Sequence, residues 1–438
     1  MEKQTDFDVI VIGAGVLGVT ISYWLLSLYN CRIALLDTAP LAAAHTSTRN
    51  TGVIHRPFYL DPVKKRIFAK TSLISHPMWE GLAKREGLPW RPIGTFNVAA
   101  EEREVKTLEK YKRWGVENGM GENELDLLDG KEVQNLEPEV NCRAALVSKT
   151  DVSVDFGVFT RYLWKHVASQ GVSFFGGHRV VKIEERNGSA SVETRSSSGL
   201  TSFSTRFLIN VAGGGSLEIA HYCGLAKQYT SLNFRGEYWV VDEPFASRVS
   251  SNIYRPPRFP QYPFLDPHFV VRADGARQIG PNAVLVPGAY VYSGVGLSKL
   301  TAFLDRPVLP KLRLLMNRDF VALVAGEWRS SLSKNAMCDR VRRFVPGLNA
   351  RMLNRRAVFG VRSSVIDSSG FVPEALLLKG EASAHIINFN SPGATGAPAY
   401  SAMVVGQIRE EGRFDWLSPN PARPLIPGWD FEGVLSQF

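Results

Sequence analysis

The stretch DVIVIGAGVLGVTISYWLLSLYNCRIALLD, residues 8–37, holds the residue spacing with the plainest chemical consequence. Gly13, Gly15 and Gly18 follow a Val/Ile-rich run and open an apolar one. In such a setting the first glycine permits a tight turn and the second lets backbone approach a diphosphate. The third lets a helix lie close to its strand. The N–H groups of the turn and first helical residues, through Ala14, Val16 and Leu17, then face the phosphates. Asp37, followed by Thr38, stands where a carboxylate holds a ribose hydroxyl pair. An acid there favours an unphosphorylated ribose, as in FAD or NAD, over NADP.

These residues need a strand, a glycine turn, a helix and a second strand. Phe7–Ile12 suits a buried parallel strand, residues 19–29 an apolar helix, and 33–36 the second strand. No charged side chain lies between Asp8 and Arg32, so hydropathy alone would allow a membrane span. The glycines argue against a continuous apolar helix. Two further uncharged runs, 278–298 and 382–408, are broken by Pro, Gly and Asn. An integral membrane protein is not expected. The N-terminus carries acids and does not read as a signal or transit peptide.

The 438 residues exceed one simple core, and 21% charged residues fit a folded chain. Cys31, Cys142, Cys223 and Cys338 are scattered, which argues against a disulfide framework or zinc site and suits reduced thiols in a cytosolic protein. No metal site is expected. The net charge of +9 is spread along the chain. That reads as a solvated basic surface rather than a nucleic-acid interface, and it is compatible with peripheral membrane contact.

Helices are expected over 64–86, 101–119 and 156–169, the last capped by Asp155, with strand-like pieces over 87–100. A meander follows, with strands at 172–175, 179–185, 191–195 and 203–211 and a hairpin turn at Asn187-Gly188. A helical section covers 311–334. Strands at 357–366 and 385–390 precede a helix running to about Arg409. The fold class is α/β (α+β): a Rossmann-like nucleotide-binding domain from 1–85, 146–225 and 346–410. A mixed or antiparallel sheet domain, 86–145 with 226–345, is inserted, and 411–438 reads as a tail.

IGAGVLG (12–18), NTGVIH (50–55), FRGEYW (234–239), YPFLDPHF (262–269), IGPNAVL (279–285), FGVRS (359–363) and NSPGATGAP (390–398) occur in this order. In these motifs the chain resembles the FAD-dependent oxidoreductases of the D-amino-acid-oxidase and glycine-oxidase superfamily. Within it, the likeness is nearest to L-2-hydroxyglutarate dehydrogenases or oxidases. The resemblance implies FAD, with Gly13, Gly15 and Gly18 on its diphosphate and Asp37 on its ribose. It places Ser47, Asn50, Thr51 and Gly52 beside the flavin, Val180 at the adenine and Gly213 near the dinucleotide. Gly393, Ala394 and Thr395 would offer N–H groups to the flavin edge.

The implied reaction is oxidation of a small 2-hydroxy acid to the 2-oxo acid, with an anionic substrate and an unspecified acceptor (oxygen, a quinone or a protein). Such a site needs a base, a cation for the carboxylate, and exclusion of water. His45, His55, His268 and His385 stand at family-matching positions. His268 and His55 are the candidate bases, with His268 slightly preferred, while His385 suits a structural role inside its apolar strand. Arg362 is the candidate carboxylate grip, since a guanidinium binds bidentately. Arg235, Arg56 and Tyr59 are further substrate-site candidates. An amine or amino-acid oxidase of the same fold is the alternative. Three departures from the family pattern stand out: Thr48-Arg49, Arg56-Pro57 and VPGAY at 286–290. The family's Gly-His precedes Asn50; Arg49 cannot carry a flavin covalently, so FAD is expected to be non-covalent. The other two alter the cations expected at the mouth of the site.

Overall fold

The computed structural model describes residues 5–296, 304–357, 360–420 and 426–438. Phe359 of the FGVRS stretch, the last residues of the 278–298 run and residues 421–425 of the expected tail lie outside the described residues.

Phe7–Ile12 is a strand between Ile33–Asp37 and Gly199–Asn210, parallel to both. Ser173–Gly176 extends this sheet beyond Ile33–Asp37, and Ser383–Ile387 runs parallel to the end of Gly199–Asn210. All of Val9–Ile12 and Ile33–Leu36 is buried, which is why these segments read as continuous apolar runs. The strand expected at 203–211 starts earlier, at Gly199, because its first half pairs with Ser189–Ser196. That strand returns from Arg179–Arg186 through Asn187 and Gly188, whose φ values of 54° and 69° match the mirror-image turn that hairpins favour.

The apolar segment after the glycine turn is the helix Val16–Leu28, buried continuously from Val16 to Leu26. It is apolar on every face because protein surrounds it, not lipid. The Trp24 indole donates to the Pro398 carbonyl at 2.9 Å, tying this helix to the helix Gly393–Glu410. No described helix is long and apolar enough to cross a membrane. Asp155 caps Phe156–Ser169 by accepting from the Val158 N–H at 3.1 Å.

A second, eight-stranded sheet carries Thr95–Ala99, Leu125–Asp129, Ala144–Ser148, Trp239–Val241, Asn252–Tyr254, His268–Val271, Arg277–Gly280 and Leu353–Arg356. It is antiparallel except where Asn252–Tyr254 meets Thr95–Ala99. A smaller sheet joins Thr230–Gly236 to Gly360–Asp367 and Val284–Val286. The single helical section expected over 311–334 is instead Leu309–Leu315 and Arg318–Leu332, followed by Lys334–Val341. Asn317 and Ser333 restart the helix, their side chains accepting from Phe320 and Ala336 N–H groups. The expected tail is docked: Trp429 packs on Trp24, Tyr23 and Trp79.

Candidate active site

One cavity of about 540 Å³ runs from the glycine turn to the second sheet, within the range of ordinary ligand sites, ~300–1,000 Å³. Its first end is shaped by missing side chains. Gly13 has φ +111°, and a Cβ there would lie 2.5 Å from the Val211 carbonyl oxygen. A Cβ on Gly18 would lie 1.8 Å from the Gly13 carbonyl oxygen, so this glycine is what lets helix and turn meet. Ser47 Oγ accepts from the Val16 N–H at 2.9 Å, so loop 46–50 is fastened to the helix start. Asp37 accepts from the N–H groups of Ala14 at 2.7 Å and Ala39 at 2.8 Å, holding its carboxylate against the cavity wall.

Gly13, Gly15, Val16, Leu17, Asp37, Thr38, Ser47, Asn50, Thr51, Gly52, Val180 and Gly213 all line this cavity. Ala14 and Gly18 sit behind its wall, with the Ala14 N–H occupied by Asp37. Gly393, Ala394 and Thr395, the first turn of an 18-residue helix, also reach the cavity, presenting the positive end of that helix to it. A bare backbone cradle, two helix N-termini and an acid at a strand end fit a dinucleotide such as FAD.

His55, His268 and Arg362 line the same cavity. Tyr59 links two of them: its ring lies 5.8 Å from that of His55, and its hydroxyl acts electrostatically on Arg362. His55 follows the strand Val53–Ile54, and its N–H donates to Thr395 Oγ1 at 3.3 Å. Its Nδ1 lies 3.2 Å from Asp151 Oδ2. Asp151 is wholly buried and also accepts from Thr95 Oγ1 at 2.9 Å, Ser148 Oγ at 2.6 Å and the Arg56 N–H at 3.1 Å. This carboxylate can only accept, so His55 donates through Nδ1 and keeps its lone pair on Nε2.

His268 lies flat on Tyr254, ring centres 3.9 Å apart, with Nδ1 3.2 Å from the Asp266 carbonyl oxygen. Its Nε2 and the Tyr254 hydroxyl are buried without hydrogen-bond partners. Burial pushes the His268 pKa down to about 3, so the ring is neutral near pH 7. Arg362 donates to the Pro263 carbonyl, and among the described residues no carboxylate pairs with it. Burial lowers its pKa, while the Tyr238 and Tyr59 hydroxyls favour its charge. The remaining wall is largely aromatic, with Phe234, Tyr238, Tyr254 and Phe264.

Arg56 and Arg235 are not at this cavity. Arg56 grips Glu124 at 2.8 and 3.0 Å, and Arg235 grips Glu237 at 2.8 and 3.0 Å, both largely buried. In each case a nearby acid satisfies a cation that burial would otherwise penalise. Tyr59 lines a small neighbouring void that shares His55, Tyr254 and Leu265 with the main cavity. His385 is buried in its strand, its ring between Asn210 at 3.0 Å and Ser383 at 2.8 Å.

The VPGAY loop reaches the nucleotide end rather than the substrate mouth. Tyr290 lines the cavity 4.7 Å from the His45 ring, and the Tyr292 hydroxyl meets His45 Nδ1 at 2.8 Å. His45 Nε2 is 3.7 Å from Asp37, while burial lowers the His45 pKa.

Sequence reasoning missed Asp151, Tyr254 and Arg272. Asp151 is the only acid in the run AALVSKTDVSV, set with Lys149 between two apolar strands. Arg272 donates to the carbonyls of Asn50, at 2.8 Å, and Thr51, holding the NTG loop against the second sheet. Nothing local to YRPP or VVRADG marks those two residues.

A family model described as FAD dependent oxidoreductase matches residues 8–407. The L-2-hydroxyglutarate dehydrogenase of Indibacter alkaliphilus is 29% identical over 402 residues, 90% of this chain and 96% of that protein. The mitochondrial L-2-hydroxyglutarate dehydrogenase of Caenorhabditis briggsae is 28% identical over 418 residues, 92% of this chain and 93% of its own. In fold, the chain is similar to the FAD-bound L-alpha-glycerophosphate oxidase of Mycoplasma pneumoniae. The TM-score is 0.72 at 21% identity, covering 96% of this chain and 99% of the other. Glycine oxidase from Geobacillus kaustophilus follows the same fold, at TM-score 0.68 and 15% identity over 93% and 95% of the two chains.

Proposed function

This chain belongs to the FAD-dependent oxidoreductase family, and from that premise we propose that it oxidises a small 2-hydroxy acid of the L-2-hydroxyglutarate type to the 2-oxo acid. The observation that carries this reading is the buried Asp151–His55 pair set at the Arg362 end of a cavity built for a dinucleotide. A hydroxy acid must lose a hydroxyl proton as its C–H breaks, so it needs a base; a neutral amine needs one less. A histidine oriented by a buried carboxylate supplies such a base.

Gly13, Gly15, Asp37 and the helix start at Gly393 would hold FAD non-covalently, since Arg49 offers no attachment point. When bound, the flavin supplies the acceptor for the hydride. Arg362 binds the substrate carboxylate and so fixes which face of the substrate is presented. His55 Nε2 takes the hydroxyl proton, and Asp151 stabilises the resulting imidazolium. We assign the base to His55 rather than His268: a histidine held near pKa 3 is a weak acceptor at neutral pH. The Tyr254 hydroxyl, which lacks a partner, is left to donate to a substrate oxygen, while His268 Nε2, whose ring donates through Nδ1 to the Asp266 carbonyl, can only accept. The aromatic wall excludes water from the reacting centre.

Anaerobic mixing of the FAD-loaded protein with 2-hydroxy acids and with amino acids, followed by visible absorbance, tests this. Bleaching by L-2-hydroxyglutarate or a related hydroxy acid is expected. Bleaching by an amine or amino acid alone would transfer the assignment to amine oxidation.

A further inference from the structure

Residues 287–294, which hold most of the VPGAY stretch, cross the nucleotide end of the cavity as a strap. Ala289 and Tyr290 line the cavity and press on the glycine run at 213–215. A Cβ on Gly214 would lie 2.5 Å from the Ala289 Cβ, and one on Gly215 3.1 Å from the Tyr290 hydroxyl. The Tyr290 ring also meets the His45 ring at 4.7 Å. His45 Nε2 in turn stands 3.3 Å from the Thr38 hydroxyl and 3.7 Å from Asp37. Segments 37–45 and 213–215 follow the strands that flank Phe7–Ile12 on its two sides. A side chain that touches both therefore closes over the glycine turn between them.

The strap is fastened by groups that the reaction does not use. The Arg49 guanidinium lies 4.2 Å from the centre of the Tyr292 ring, and the Tyr292 hydroxyl meets His45 Nδ1 at 2.8 Å. Val291 is buried in one apolar cluster with Val284, Val286 and Val361. Arg235, gripped by buried Glu237, donates through its free arm to the carbonyls of Gly294 at 2.6 Å and Val291 at 3.5 Å. A buried ion pair gives little net stability by itself; this one fixes a loop that is exposed at Ser293 and Gly294. We propose that the strap is a latch on the adenosine half of FAD. Tyr290 is a cofactor contact, and Arg49, Tyr292 and Arg235 are positioning residues that keep it shut. Arg49, which offers the flavin no attachment point, thus retains the cofactor by another route. Tyr290 must leave its neighbours before the dinucleotide can, so the strap governs the rate of release more than the rate of uptake. The inference rests on FAD binding and not on which acid is oxidised.

The test is exchange of tritium-labelled FAD, loaded on the full chain, for excess unlabelled FAD, read by filter retention with no substrate present. Tyr290 is 36% exposed, so its truncation leaves the fold intact. Tyr290→Ala is expected to speed loss of label about tenfold, the value of one aromatic contact. Arg49→Leu and Tyr292→Leu should each speed it by about three- to tenfold, the value of one cation–π contact. The double variant should fall well short of the product of the two, because both remove the same contact. Arg235→Lys keeps Glu237 paired but withdraws the forked donor from the strap, and it too should speed release. Uptake of FAD by the apoprotein, and the apoprotein's melting temperature, should stay as in the unaltered chain. Release from the Tyr290→Ala protein within about twofold of the unaltered rate overturns the proposal. So do fully multiplied effects in the double variant, or uptake slowed as much as release is speeded.

Discussion

The carboxylate of Asp151 is worth more than its sequence context suggests, because it is wholly buried and met by four donors, His55 Nδ1 among them. Replacing His55 by Gln should lower turnover by about 10²–10⁴, the usual contribution of a positioned base. FAD content should stay normal, read from visible absorbance. Asp151→Asn should lower turnover less and damage stability more, since it disturbs the Thr95, Ser148 and Arg56 contacts together. Arg362→Lys keeps a charge but loses the two-pronged grip. KM for the acid should rise by about 10–100-fold, the value of one or two charge-assisted hydrogen bonds, with a smaller effect on kcat. A KM unchanged in steady-state assays would move the carboxylate site elsewhere.

At the scale of elements, the turn from strand Phe7–Ile12 into helix Val16–Leu28 leaves no room for a side chain. Gly18→Ala would put its Cβ at 1.8 Å from the Gly13 carbonyl. The variant should purify colourless or with FAD far below one equivalent, while circular dichroism shows a folded chain. The docked C-terminal segment makes a different prediction. Trp429 is buried against Trp24 and Trp79, and its indole donates to the Met78 carbonyl at 3.2 Å. Trp429→Ala should cost about 3–5 kcal/mol of stability, measured by denaturant unfolding. The 309–332 region shows why element boundaries escape composition: Asn317 and Ser333 end and restart helices by capping, a matter of two side-chain hydrogen bonds at Asn317 and one at Ser333 rather than of hydropathy.

For the whole molecule, buried neutral histidines set the acid limit. Burial holds His268 near pKa 3 and His385 near 4, against an ordinary value of 6.5. Below pH 6.5 the unfolded chain takes up protons that the folded chain refuses. Stability is therefore full above about pH 6.5 and falls as the pH drops towards 4, by up to about 1.4 kcal/mol per pH unit for each group. Melting temperatures across that window should show the loss, and His268→Gln should reduce its slope. FAD binds only the assembled cavity, whose lining comes from residues 12 to 395. Adding FAD at about a hundred times its Kd should raise unfolding free energy by roughly 2.7 kcal/mol.

The local pattern was enough for the nucleotide-binding end. Strand, glycine turn, helix and acid lie within residues 7–37, so the relevant contacts are between near neighbours and their steric demands show in the residue types themselves. The fold class and the capped helix at Asp155 were legible for the same reason. The substrate end was not. Its cations look alike in sequence, and only folding decides that Glu124 takes Arg56, Glu237 takes Arg235, and Arg362 meets no carboxylate among the described residues. His55 and Asp151 are 96 residues apart, and Arg272 reaches back 222 residues to Asn50. Such pairings are set by strand register and domain packing, which join segments that carry no mark of one another along the chain.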